Sequence, residues 1–258
     1  MRAKIITILF FALPMLLFAQ APKPIPTKNI SVNGVVFKMV KVESGSFQMG
    51  ATTEQGSTAK SDEKPAHMVT LKSYYIAETP VTQELWQSIM DKNPSHTKGS
   101  SRPVESVSWD DCQQFIAELN RLSGKKFRLP TEAEWEFAAR GGNLSKGYKY
   151  AGSADPDKVA WNSEISSMEL PFVKTKDPNE LGIYDMNGGV WEWCSDWYGY
   201  YQGKALVNPQ GPYDGSYRVM RGGSYKCEEY DCRISTRKYG MPYDANDDYG
   251  LRLVLDAE

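Results

Sequence analysis

The chain has 258 residues, of which 41% are hydrophobic and 24% charged, and its formal net charge is −2. This is the make-up of an ordinary globular protein, and without a basic excess neither a nucleic-acid partner nor charge-driven membrane binding is expected. The length suits one large domain or two small ones, and motifs running from Gly45 to Leu255 without a low-complexity linker favour one.

Basic Met1 to Lys4, apolar Ile5 to Phe18 and small Ala19-Gln20-Ala21 follow the order of a secretory signal peptide. The apolar run is shorter than the ~20 residues a spanning helix needs. Residues 1–21 are therefore expected to be a cleaved leader, 22–34 a short linker and 35–258 the domain. The mature protein is expected to be periplasmic or secreted, without membrane attachment, and no cysteine marks the junction for lipid anchoring.

Phe37 to Val42 alternates as a strand, Ser44 to Gly50 reads as a turn entering a second strand, and Ala51 to Pro65 reads as a polar surface loop. His67 to Leu71 alternates again and leads through Tyr74-Tyr75-Ile76 to Thr82, a good N-cap for a helix carrying Leu85, Trp86 and Ile89. Ser108 caps a second helix, with Trp109, Cys112, Phe115, Ile116 and Leu119 at helical spacing, so Cys112 reads as a core thiol. Gly124 ends that helix, and Lys126 to Leu129 reads as a short strand. Pro130-Thr131 opens a third helix packed through Ala133, Trp135, Ala138 and Ala139, with Glu132, Glu134 and Glu136 expected on its cap and solvated face.

After Gly141 the periodicity fades into loops rich in Gly, Asn, Asp, Tyr and Trp, and strands return at Arg218 to Arg221 and Leu251 to Leu255. Helices against a small, mainly antiparallel sheet, with much irregular loop, make an α+β fold. Only His67 and His96 are present, so neither a three-histidine iron site nor a two-histidine zinc helix can be assembled. Ser224 has no histidine near it in sequence for a hydrolytic triad. Tyrosines from Tyr198 to Tyr249, set among small polar residues, suit a surface that binds a peptide or glycan ligand.

Three segments carry more specific information. Arg128 to Gly142 holds the third helix, Asp185 to Trp193 interleaves two carboxylates with Gly188-Gly189, and Arg221-Gly222-Gly223-Ser224 precedes Cys227 and Cys232. From the residues alone, the second segment is either a calcium loop or a turn in which Asp185 caps the chain and Glu192 pairs with an arginine such as Arg221. Four cysteines in an exported chain allow three pairings, Cys227 with Cys232 and Cys194 with Cys232 among the candidate bridges.

Together these segments resemble the formylglycine-generating enzyme family, the sulfatase-modifying factors, from about Val35 to Leu255. The resemblance implies a variant of the C-type lectin fold. It also implies a calcium ion on Asp185 and Glu192 with the carbonyls of Gly188 and Val190. It implies copper too, as Cu(I) held by Cys227 and Cys232 beside Ser224, so that a sulfatase cysteine or other peptide substrate is oxidised to formylglycine. Three features depart from the copper-bearing pattern, one being that the extra residues it carries between its second cysteine and the following arginine are missing. The spacer Glu228 to Asp231 is acidic, and Cys232-Arg233 to Arg237 matches the Cys-Arg-x-x-x-Arg of a non-copper branch. A calcium-stabilised binding or scaffold protein is the alternative.

Overall fold

The computed structural model describes residues 24–257; the expected leader lies outside them. Within that range no helix is long and apolar enough to cross a membrane.

The first sheet is built from β1 (Thr27–Val32), β2 (Val35–Val42), β5 (Tyr74–Ala77), β14 (Val254–Asp256) and β6 (Phe127–Arg128), in that spatial order and antiparallel throughout. Residues 22–34 are therefore not all linker. Thr27 to Val32 alternates too, and pairs with Val40 to Val35 through a tight Asn33-Gly34 turn. The described residues form four sheets in all. β10 (Leu206–Val207), β4 (His67–Leu71) and β3 (Gly45–Met49) make a second, and β12 (Arg237–Gly240), β11 (Arg218–Arg221), β9 (Trp191–Trp197) and β13 (Tyr249–Leu251) a third. β7 (Ala160–Trp161) and β8 (Asn187–Gly188) form a two-stranded pair.

The helices start where their caps predict. α1 (Gln83–Gln87) begins with the Thr82 hydroxyl accepting the Leu85 N–H. α2 (Trp109–Ser123) opens on a capping box between Ser108 and Asp111 and ends on left-handed Gly124. Its face of Cys112, Phe115, Ile116 and Leu119 is buried against the first sheet, where Trp86 stacks on Phe115 at 4.8 Å. Burying each such large apolar side chain is worth about 1.5–3 kcal/mol.

α3 (Glu132–Ala139) is capped by Thr131 and Glu134, but every one of its residues is buried. This overturns the expected solvated face. Glu132, Glu134 and Glu136 point inward because four arginines meet them there. Arg128 reaches Glu134, Arg140 reaches Glu136, Arg221 reaches both Glu132 and Glu136, and Arg237 reaches Glu132.

Candidate functional site

Cys227 and Cys232 are brought to one serine. Gly222 and Gly223 both adopt positive φ, and a Cβ on Gly223 would stand 2.9 Å from the Cys232 sulfur, so only glycine lets the loop fold back this closely. Ser224 follows, with its Oγ 3.2 Å from Cys227 Sγ, and the Cys227 N–H closes a turn onto the Ser224 carbonyl at 3.1 Å. Ser224 Oγ donates to Asp248 Oδ2 at 2.7 Å, a partner that sequence reading missed because Asp248 sits 24 residues away. A short 3-10 turn, Glu229–Cys232, then carries Cys232 into the interior.

None of the four cysteines is bonded to another, so neither candidate bridge is present. Cys232 is fully buried, whereas Cys227 is partly open to solvent. Burial pushes both thiols up from their ordinary value.

The arginines after Cys232 anchor its loop. Arg233 makes a bidentate pair with Glu63 at 2.6 and 2.7 Å, and Arg237 does the same with Glu132 at 2.6 and 2.8 Å. Glu63 belongs to the stretch expected to be surface loop, yet it is fully buried. The Cys-Arg-x-x-x-Arg pattern is thus a structural tether on two distant carboxylates.

The Asp185 loop is tightly wound. Asp185 has φ 58°, its Oδ2 accepts the Lys174 N–H at 2.9 Å, and burial raises its carboxyl to about 6. A Cβ on Gly188 would collide with the Trp161 carbonyl at 1.8 Å, so β8 can meet β7 only through glycine. Glu192 lies on β9, fully buried. Arg252 Nε donates to both its oxygens at 3.1 and 2.9 Å, Arg252 Nη2 donates to Oε1 at 2.7 Å, and the Trp135 indole N–H donates to Oε2 at 2.7 Å.

Three known proteins bear on this geometry. The chaperone protein LppX of Paenibacillus barcinonensis is 32% identical, across 84% of this chain and 88% of its own. The formylglycine-generating enzyme of Streptomyces coelicolor is 29% identical, across 85% and 89%. The solved Treponema denticola variable protein 1 superposes with a TM-score of 0.81 at 32% identity, covering 90% of this chain and 99% of that one. Residues 28–257 match the sulfatase-modifying factor enzyme 1-like domain. The chain belongs to that family.

In this member of the sulfatase-modifying-factor family, the four-ligand calcium set does not fit. Glu192 is engaged on both oxygens by three N–H groups, Arg252 Nε shared between them, Arg252 Nη2 and Trp135 Nε1, and its charge is neutralised by Arg252. The pairing arginine is Arg252 and not the expected Arg221, which is committed to α3. Of the expected side-chain ligands only Asp185 is left, beside the carbonyls of Gly188 and Val190. Thiolates are the ligands Cu(I) prefers, and two unbridged thiols lie at this loop, Cys227 on the Ser224 hydroxyl and Cys232 beneath Gly223.

Another buried acid lies outside both motifs. Asp196, on β9, accepts the Glu132 N–H and the Ser195 hydroxyl, each at 3.0 Å, and burial, then the nearby Glu132 charge, push it to about 7. An acid raised from 3.8 to about 7 by folding stabilises the fold while protonated, fully so below 3.8 and no longer once pH has risen through about 7. Asp196→Asn is therefore expected to gain stability relative to the parent on going from about pH 4 to about pH 8, by on the order of 2–4 kcal/mol. Urea denaturation at the two pH values measures it, and an unchanged difference would contradict the assignment.

Proposed function

We propose that this protein is an exported, copper-dependent oxidase that converts the cysteine of a sulfatase or similar peptide to formylglycine. The observation that carries this reading is the convergence of two unbridged thiols, Cys227 and Cys232, on Ser224. The family match and the Streptomyces coelicolor relative support it, as does the leader-like order of Met1 to Ala21.

When bound, Cu(I) supplies the means to activate dioxygen. The chain's own residues do the rest. Cys232, buried beneath Gly223, is the fixed sulfur, and Cys227 faces the side from which a peptide thiol would approach. Ser224, held by Asp248, fixes the Cys227 sulfur and keeps a hydroxyl oxygen between thiol and carboxylate. Turning the thiol-bearing methylene of a cysteine into an aldehyde with dioxygen expels the sulfur as hydrogen sulfide and leaves one oxygen atom for water. Two external thiol groups, joined as a disulfide, must therefore supply two electrons and two protons.

The test is to load the protein with Cu(I) and offer a Cys-x-Pro-x-Arg peptide with a thiol reductant. Mass spectrometry should find the aldehyde, and Cys227→Ser and Cys232→Ser should each lower turnover by more than about 100-fold. Copper-loaded protein that yields no aldehyde would retire the reading. A second reading, a non-catalytic protein that binds a peptide or glycan, draws on the exposed rings of Tyr200, Tyr213 and Tyr243 and on the relative called a chaperone. It predicts thiols that leave the peptide untouched.

A further inference from the structure

Away from the thiols, a cavity of about 380 Å³ opens between the start of α3, the end of β9 and the loop running from Gly199 to Pro212. That volume is enough for a small ligand or one long side chain. Its walls include Tyr200, Tyr201, Leu206 and Pro212. Asp196 also lines it, 3% exposed. Oδ2 of Asp196 is occupied by Glu132 and Ser195, but Oδ1 accepts no hydrogen bond among the described residues. It lies under Gly211, where a Cβ would stand 3.2 Å from it.

We propose that this cavity binds an ammonium group on an aliphatic stem, as on a lysine side chain, with the ammonium on Asp196 Oδ1 and the stem against Tyr200 and Leu206. Three features favour a cation. A carboxylate oxygen that accepts no hydrogen bond from the described residues and still opens to the cavity is best met by a charged donor. The Glu132 charge beside it is matched by Arg237 and Arg221 within the protein, whereas Asp196 makes no ion pair among the described residues and feels Arg218 only through space, so it is the acid left to a ligand. Tyr200 is 78% exposed, and neither face of its ring carries a protein cation, whereas Arg237 already lies 4.1 Å from the ring centre of Tyr201. The site is distinct from the thiol pair and goes beyond the oxidase reading.

Charged groups face Asp196 from each neighbouring element: Glu132 and Glu134 on α3, Arg218 on β11, Arg237 on β12, His67 on β4 and Lys204 on the loop. Among them Asp196 is the one a bound ammonium would ionise, so affinity rises with pH.

The probes are N-acetyl-lysine methylamide and its uncharged counterpart, N-acetyl-norleucine methylamide, titrated calorimetrically into the whole protein. The lysine probe should bind at least about tenfold tighter than norleucine at about pH 8, and lose about tenfold on going to about pH 6. Asp196→Asn should abolish that pH dependence and the preference for lysine. Tyr200→Ala, at an exposed position that leaves the fold intact, should weaken both probes. His67→Gln should keep the pH dependence; its loss there would move the effect to the histidine and overturn the assignment. Equal binding of the two probes, or no binding by either, would also overturn it.

Discussion

Replacing Glu192 by glutamine should cost about 3–5 kcal/mol, because Arg252 would stay buried with its charge unmatched. The remaining acceptors of Arg252 are backbone carbonyls of Ala77, Tyr184 and Asp185, which carry no full charge. The same pairing predicts that the parent protein melts alike in calcium and in chelator, within about 2 °C, less than the shift that ~1 kcal/mol produces in a domain of this size. Urea denaturation measures the first effect and a thermal melt the second. A rise of many degrees with calcium would mean that Glu192 leaves Arg252 for an ion.

Arg221→Met should be of similar size, about 3–5 kcal/mol. Arg221 is fully buried and bridges Glu132 and Glu136 at 3.1 and 2.5 Å while its guanidinium also donates to the Ile234 carbonyl at 2.8 Å. Methionine fills much of the space but leaves Glu136 with Arg140 and the Gly50 N–H, and Glu132 with Arg237 and Tyr201. Arg121→Met makes the comparison, since its pair with Glu118 lies in solvent and should contribute nothing measurable. If the two variants lost the same stability, the buried carboxylate and guanidinium network would not be what holds α3 in place.

Much of the framework was legible because its signals are local. Thr82, Ser108 and Thr131 each announce a helix by side-chain capping, and the caps form as read. Gly222-Gly223 likewise announces a tight turn, and both glycines adopt positive φ. What stayed hidden depends on partners far along the chain. The acids of α3 look solvated until Arg221 and Arg237, some hundred residues later, are known to meet them. Glu192 reads as a ligand until Arg252 is seen beside it, and Asp248 has no motif at all. β9 was obscured for another reason: Trp191 to Trp197 is buried on both faces, so it lacks the alternation that marks a half-exposed strand.

The order of strands in the first sheet sets a schedule for assembly. β14 lies between β5 and β6, pairing Val254 with both Ile76 and Arg128. Until residue 254 has emerged from the ribosome, β5 and β6 have no strand to join them, and the sheet that α2 covers stays incomplete. This part of the sheet therefore stays unlocked until segments some 180 residues apart are both present. Contacts this distant in sequence also slow closure once it begins.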